Sequence, residues 1–184
     1  MQRMPFTPQA QKSGRGACLK WIGRNGVAAL LSLLLLPAML WSDTFICGYP
    51  ARGRVAISRA QQTLAEFTVT HAQSSDQRRR GLMNCGLLEP GTGMLFLYDE
   101  ALPRSFWMKD TPLELGIIFI ADDGQIMAIE RGIPGSRERI RSPGPARYVL
   151  EINYQEAQGL RVGDRMRRMP PAAARPISGG KGRP

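Results

Sequence analysis

Histidine and cysteine are scarce in this sequence: its 184 residues include one histidine, His71, and three cysteines. A single histidine excludes zinc sites that need several, and no CxxC pair is present. The chain also lacks a phosphate-binding loop, a dinucleotide fingerprint and the GxSxG turn of serine hydrolases. We therefore expect no metal ion and no cofactor.

Acidic residues are missing from both ends of the chain. Residues 1–26 contain five Lys or Arg and no acid, and residues 165–184 contain six and no acid. Between them, residues 27–164 carry 14 basic and 15 acidic side chains, so the formal charge of +10 belongs to the ends. A nearly neutral centre does not suit a nucleic-acid-binding domain, and we expect no nucleic-acid partner.

No apolar run reaches the roughly 20 residues that cross a bilayer comfortably. The most apolar segment, residues 27–41, follows five cations and contains Pro37. A basic stretch before about 7–15 apolar residues is typical of a secretory signal, and its basic side stays in the cytoplasm. We expect residues 1–46 to be a cleaved signal peptide or a retained anchor in the inner membrane. The remainder would be periplasmic or otherwise extracytoplasmic. A buried helix of a cytosolic domain is the alternative.

Two of the three cysteines, Cys47 and Cys85, fall in the part expected to be exported, and Cys18 falls in the basic leader. A disulfide between the first two would suit an oxidising compartment and add about 4 kcal/mol by the chain-entropy argument. The alternative is two free thiols, because Cys47 lies in a stretch that is expected to be flexible.

Glycine and proline mark the segments expected to be flexible. Residues 47–62 are expected to form a linker, and residues 170–184 a disordered basic tail rich in Pro and Gly. Residues 63–169 lie between them and are numerous enough for one hydrophobic core.

Short apolar patterns within residues 63–169 predict a mainly β fold of the α+β type. The expected strands show alternation or a short apolar run and cover residues 64–71, 94–98, 105–109, 113–120, 125–130, 147–152 and 160–167. Ser74 or Ser75 can cap one short helix ending near Met83, and a second helix fits residues 153–160. No βαβ period is present, so we expect a compact β-barrel or roll of six or seven short strands with two short peripheral helices.

Six fragments, in their order and spacing, resemble one known family: GLMNCGLL (81–88), GMLFLY (93–98), FWMKDTPLELGIIFI (106–120), DDGQI (122–126), YVLEIN (148–153) and GLRVGD (159–164). The stretch from about residue 64 to residue 169 is similar to the family catalogued as domain of unknown function 192. The resemblance implies a compact β-rich fold in a small bacterial or archaeal protein, often behind a signal or anchor. It implies no established reaction.

The sequence departs from the family pattern in three places. Asp110 stands where the family commonly has Asn, and no basic residue stands near Asn84 and Cys85. Gly116 stands where the family commonly has Asp. If that carboxylate has a chemical role in relatives, this chain lacks it, and a catalytic role carried over from the family is weakened.

The best candidate for a ligand site lies at the end of an expected strand. It combines an aromatic ring with charged and hydroxyl groups, namely Trp107, Lys109, Asp110, Thr111 and Glu114. In one interpretation, the indole of Trp107 stacks on a small ligand while its neighbours supply polar contacts. In the other, Trp107 fills the core and the polar residues shape a turn.

Other arrangements of reactive residues are less specific. Cys85 and His71 could act as nucleophile and base, and nearby methionines could bind copper(I), but the spacings fit no closed site. Glu151 alternates away from Leu150 and is expected to be solvated. Asp164 is expected to accept backbone N–H groups in a turn.

Two functions follow from these features. We expect an exported envelope module that binds a small ligand or an envelope component without catalysis, because no catalytic constellation accompanies the aromatic loop. The alternative is an exported hydrolase of envelope polysaccharide or a related polymer that uses carboxylates such as Asp110 and Glu114. Two carboxylates about 5–9 Å apart in a cleft would favour the hydrolase.

Overall fold

A computed structural model describes residues 44–170 of the chain. In chain order its elements are β1 (Phe45–Ile46), β2 (Tyr49–Pro50), β3 (Gly53–Arg59), β4 (Gln62–Ala72), α1 (Ser75–Arg80), β5 (Thr92–Phe106), β6 (Leu115–Ile120), β7 (Ile126–Gly132), β8 (Ile140–Asn153), α2 (Tyr154–Ala157) and β9 (Arg165–Met169). The mainly β class with two short helices is confirmed. Across these residues no helix has the length and apolar character needed to span a membrane.

Seven strands form one curled sheet in the order β7-β6-β8-β5-β4-β3-β9. Neighbouring strands are antiparallel except β4 and β5, which run parallel. Gln125, just before β7, bridges to Arg165 at the start of β9, and Met166 N donates to Gly124 O over 2.8 Å. These contacts join the two edges of the sheet at one corner. The predicted barrel or roll is therefore confirmed as a half-barrel.

The curled sheet is buried on both faces. The inner core lies inside the curl, since it contains side chains from both edge strands; its members include Val55, Ile57, Phe67, Val69, Leu95, Ile118, Ile120, Ile126, Leu150, Ile152 and Met166. The outer core is covered by loops and by the hairpin of β1 and β2; its members include Leu82, Cys85, Leu88, Met94, Phe96, Phe106, Met108, Ile117, Phe119 and Val149. All six residues of β6 are buried, which explains why this strand is continuously apolar.

The segment expected to be a linker differs in the structure. β3 lies within residues 47–62 and pairs with β4 on one side and β9 on the other. Val55 and Ile57 are fully buried, and this burial gives the strand its place in the inner core. The linker prediction is wrong for β3. The N-terminal expectation also overlaps β1 at Phe45 and Ile46, while residues 1–43 and 171–184 lie outside the described residues.

Two strands are longer than the sequence pattern predicts. β5 is one strand of 15 residues that covers both the expected 94–98 strand and the start of the expected 105–109 strand. Its pairing with β8 shifts register between Leu97 and Leu102, which hides its continuity in the alternation. β8 begins at Ile140, inside a proline-containing stretch that lacks a regular pattern.

The capping of α1 follows from its first residues. Ser74 Oγ accepts a hydrogen bond from Gln77 N over 3.2 Å, and Gln77 Oε1 accepts one from Ser74 N over 2.9 Å. This reciprocal pair is a capping box and confirms Ser74 as the cap. The helix ends at Arg80, earlier than predicted, because Gly81 has a φ of 49°.

Gly116 allows α2 to pack directly on β6. A Cβ atom at residue 116 would lie 2.4 Å from the Cβ of Ala157, far inside van der Waals contact. The Asp that the family commonly has at this position therefore has no room beside α2 in this chain. The close approach of helix and strand accounts for the departure from the family pattern.

We predict that Gly116→Ala lowers the free energy of unfolding by about 1–3 kcal/mol, because α2 must move away from β6. Urea denaturation followed by circular dichroism measures the change. Gly159→Ala is the matched control, since no atom lies within 4 Å of the added Cβ. Its stability should stay within about 0.5 kcal/mol of the parent. Equal losses in the two variants would contradict the packing argument.

Candidate loop-cluster site

Three loops meet around the sequence-predicted site, and we call residues 81–91, 107–114 and 133–139 the loop cluster. Asn84 N donates to Asp110 O over 2.7 Å, which joins the first loop to the second. Met108 N donates to Ser136 O, and Gly135 N to Thr111 O, each over 3.0 Å. Backbone hydrogen bonds thus fix the position of the 107–114 loop from both sides.

A disulfide attaches the β1–β2 hairpin to the loop cluster. Cys47 and Cys85 are bonded, with their Cα atoms 5.3 Å apart and 38 positions apart in sequence. The sulfur of Cys85 is therefore not available as a nucleophile. His71 lies on the face of the inner core, so the structure does not support the Cys85–His71 pair as a catalytic unit.

Trp107 is the aromatic centre of the loop cluster and is half-buried. The guanidinium of Arg139 lies 4.6 Å from the ring centroid, and the ammonium of Lys109 lies 5.5 Å from it. Lys109 also contacts the carboxylate of Asp110 at 3.6 Å. Arg139 is exposed and forms no ion pair within residues 44–170. The structure thus brings together an indole and two cations, of which Lys109 was predicted and Arg139 was not.

The other residues of the 107–111 loop determine its shape. Met108 is almost fully buried in the outer core, and the Thr111 hydroxyl donates to Lys109 O over 3.2 Å. Asp110 is exposed with a φ of 54°, a left-handed conformation that Asn and Asp tolerate better than most residues. This backbone requirement explains how Asp can replace the Asn that is common in the family. The structural interpretation therefore holds for Met108, Asp110 and Thr111, whereas half-buried Trp107 does not fill the core.

Glu114 belongs to a different set of contacts from Trp107. Its carboxylate pairs with Arg131, whose guanidinium lies 5.2 Å from the ring centroid of Tyr154. Tyr154 N also donates to Glu114 O over 3.1 Å. Within the described residues, the side chain of Glu114 makes no hydrogen bond or ion pair to residues 107–111. Glu114 links β6, β7 and α2.

Glu151 is buried, and the expectation that it is solvated is wrong. It pairs in register with Met94 and Ile117 on the face of the outer core and is 5% exposed. One of its carboxylate oxygens lies 3.9 Å from the position that a Cβ of Gly81 would take, so the end of α1 covers it. This burial raises the pKa of Glu151 to about 8. The carboxyl group is therefore mainly protonated at neutral pH.

Asp164 is also buried but is kept ionised by its partners. It accepts hydrogen bonds from Arg59 Nε at 2.7 Å and Nη2 at 2.9 Å, and from the backbone N–H of Arg161 at 2.8 Å. The side-chain hydrogen bond from Arg59 is the main cause of the lowered pKa of Asp164. The predicted role as a backbone acceptor in a turn is confirmed. Arg59 was missed because its strand fell in the expected linker.

A separate cleft opens at one end of the inner core, with a volume of about 520 Å³. Its lining includes His71, Tyr148 and Arg168, together with Asp122 and Asp123. None of the sequence-predicted site residues lines this cleft. The alternation of inward-facing and outward-facing side chains along a strand could have identified this cleft from the sequence. His71, Tyr148 and Arg168 occupy inward-facing positions of β4, β8 and β9.

The two carboxylates expected to act in a hydrolase lie outside this cleft. The cleft is lined by neither Asp110 nor Glu114. Asp122 and Asp123 are adjacent in sequence and pair with Arg147 at 3.6 Å and Arg165 at 3.1 Å. A hydrogen bond from the Gln125 backbone is the main cause of the lowered pKa of Asp123, so this group is not a neutral-pH acid. Among the residues that the structure describes, no group of three or more His, Cys, Asp or Glu could hold a metal.

Comparison with family models matches residues 56–168 to domain of unknown function 192, described as "Uncharacterized ACR". The chain belongs to this family. The match includes most of the sheet, from within β3 into β9. The resemblance inferred from the six sequence fragments is confirmed.

Two solved structures are similar to this member of the domain of unknown function 192 family. A protein from Sinorhizobium meliloti 1021, described as a candidate transcription regulator, is 39% identical, with 64% of this chain and 94% of that chain covered and a TM-score of 0.61. A protein of unknown function from Novosphingobium aromaticivorans DSM 12444 is 30% identical, with 62% and 83% covered and a TM-score of 0.59. No curated protein matches.

We predict that the burial of Glu151 makes the stability of this family member fall between about pH 4.5 and pH 8. Over this range Glu151 has lost its proton in the unfolded chain but keeps it in the folded chain. The decrease in stability levels off above about pH 8, the pKa of Glu151 in the folded chain. Glu151→Gln keeps the shape of the side chain and removes its titration. Between pH 5 and pH 8, the free energy of unfolding of the parent should therefore fall by roughly 4 kcal/mol more than that of Glu151→Gln.

Guanidinium denaturation at several pH values measures this difference. Glu89→Gln, at an exposed residue, controls for the removal of one carboxylate. A difference between Glu151→Gln and the parent that stays constant with pH would contradict the raised pKa.

Proposed function

We propose that this chain is an exported domain that binds an acidic sugar polymer of the cell envelope at the loop cluster, without catalysing a reaction. The observation that carries the proposal is the indole of Trp107 held beside Arg139 and Lys109. Export and binding are supported by different features and are tested separately.

Export is supported by two features at the N-terminal side. Five cations precede the apolar run of residues 27–41, as in secretory signals. The Cys47–Cys85 disulfide forms just after this leader, and disulfides persist mainly in oxidising compartments. A domain that carries both features is best suited to the periplasm or another extracytoplasmic space.

Binding is supported by the charge and exposure of the loop cluster and the start of β8. Three arginines, Arg137, Arg139 and Arg141, are exposed here, with Glu138 among them. Guanidinium groups bind carboxylate and phosphate through paired hydrogen bonds, and an indole packs on the apolar face of a sugar ring. A polymer that presents both sugar rings and negative charges matches this surface.

A binding role is better supported than the hydrolase alternative. Asp110 sits in a left-handed turn and contacts Lys109, and Glu114 pairs with Arg131. Glu151, whose pKa is raised to about 8, is enclosed beneath Gly81. A protonated carboxyl that substrate cannot reach does not supply a general acid.

Nucleic-acid binding also has little support, although the Sinorhizobium relative is described as a candidate transcription regulator. The two helices of residues 44–170 contain six and four residues. Helices of this length do not supply the recognition helix that enters a major groove.

We predict that the number of reactive thiols reports both export and processing. With Cys47 and Cys85 joined, the mature protein should have no reactive thiol if the leader is removed, and one, Cys18, if the leader is retained. Gel-shift alkylation of denatured protein from the periplasmic and membrane fractions counts them, and prior reduction should add two. Recovery in the cytosol with all three thiols reactive would contradict export.

We predict that Arg139→Gln weakens binding of oligogalacturonate, a model acidic saccharide, by about tenfold, because a charge-assisted hydrogen bond is lost beside Trp107. Isothermal titration calorimetry of the parent and variant measures the change. Arg161→Gln removes an exposed arginine outside the loop cluster and the start of β8, and it should change the affinity by less than about twofold. Neutral dextran should not bind. Equal losses in the two variants would indicate diffuse charge attraction and contradict a site at Trp107.

A further inference from the structure

We infer that the cleft at the open end of the inner core is a second binding site, for a small molecule that carries a phosphate or carboxylate group. This inference does not depend on the loop cluster. The loop cluster packs against the outer core, and the cleft continues the inner core, so ligands of the two sites are distinguishable by experiment.

The lining of the cleft follows from strand parity. His71 stands two residues after Val69 on β4, Tyr148 two residues before Leu150 on β8, and Arg168 two residues after Met166 on β9. Each therefore points to the same side of the sheet as the inner core. β4 and β9 end near this point, whereas β8 runs past it in the opposite direction, so the apolar interior gives way here to polar side chains. The mouth of a curled sheet is a common place for small-molecule sites.

The positive charge at this mouth is not balanced by the acids beside it. Arg168 lies 5.2 Å from the ring centroid of Tyr148 and forms no ion pair within the described part of the chain. The two carboxylates of the lining, Asp122 and Asp123, are already paired with Arg147 and Arg165. An anion entering the cleft would therefore meet the guanidinium of Arg168.

His71 contributes to the cleft a polar side chain that is uncharged at neutral pH. It is half-buried, and burial together with the charges of Arg168 and Arg52 lowers its pKa. The neutral imidazole has one N–H donor and one acceptor. Gly53 makes space for the ring, since a Cβ at residue 53 would lie 3.3 Å from His71 Nε2.

The size and lining of the cleft limit the ligand class. A volume of about 520 Å³ falls within the range of small-molecule sites. Tyr148 and Met166 supply an apolar surface, and Arg168 supplies the fork that phosphate and carboxylate groups match. A compact molecule with one ring and one anionic group satisfies both requirements.

Phenyl phosphate is a suitable probe because it has a ring and an anion. His71 is the single histidine of the chain, so its imidazole signals in proton NMR report the cleft directly. We expect phenyl phosphate to shift these signals with saturation in the millimolar range or below. Inorganic phosphate has only the anionic group of this probe and phenol has only its ring. Each should bind at least about fivefold more weakly than phenyl phosphate.

Variants of Arg168 test the anion contact. Arg168→Gln should weaken phenyl phosphate binding by about fivefold or more, and Arg168→Lys, which keeps the charge without the fork, should fall between it and the parent. Arg161→Gln, at an exposed arginine outside the cleft, should leave the affinity unchanged. Circular dichroism confirms that each variant is folded.

Several outcomes would overturn the inference. These are the absence of a saturable His71 shift, and equal losses in Arg168→Gln and Arg161→Gln. A third is a shift by oligogalacturonate but not by phenyl phosphate, which would assign the cleft to the polymer. Arg139→Gln should leave phenyl phosphate binding intact; a loss there would show that the two sites are one.

Discussion

The constraint on which this structure depends is that the sheet must hide both of its faces. Alternate side chains of β6 and β8 enter the inner and outer cores, so each face needs its own cover. Curling covers the inner face, and the contact between Gln125 and Arg165 holds the edges together. The outer face is covered by the loop cluster and the β1–β2 hairpin. The loops that carry Trp107 are thus structural covers first, and the binding surface that we propose is their exposed edge.

The two buried carboxylates show how strongly position sets charge in this fold. Asp164 lies beside the guanidinium of Arg59 and a backbone N–H, and these donors favour its ionised form. Glu151 is enclosed by apolar side chains, and burial favours its neutral form. Glu151 lies in β8 and Asp164 in the turn before β9, in a chain of nearly balanced central charge. Counting acids in the sequence therefore says little about which of them act as anions.

The parts of the fold that the sequence predicts are those governed by local patterns. The apolar run at β6, the Ser74 cap and the turn at Asp164 follow from neighbouring residues alone. β3 was missed because its three buried apolar residues, Val55, Ala56 and Ile57, stand among glycine, arginine and serine. The burial of Glu151 was not predicted because the residues that cover it lie about 70 positions earlier in the chain. Similarly, Trp107 could be singled out by residue type, whereas its partner Arg139 is brought to it by the packing of another loop.

The covalent link between Cys47 and Cys85 also sets the path of mechanical load. If the leader stays in the membrane, tension along the chain enters the described domain near Phe45. It reaches the disulfide within two residues and passes to the 81–91 loop without stretching the peptide between the two cysteines. β3 and β4, which lie within that bypassed segment, are shielded from the pull. Such a domain can be tethered at its N-terminal side without tension separating β3 from the rest of its sheet.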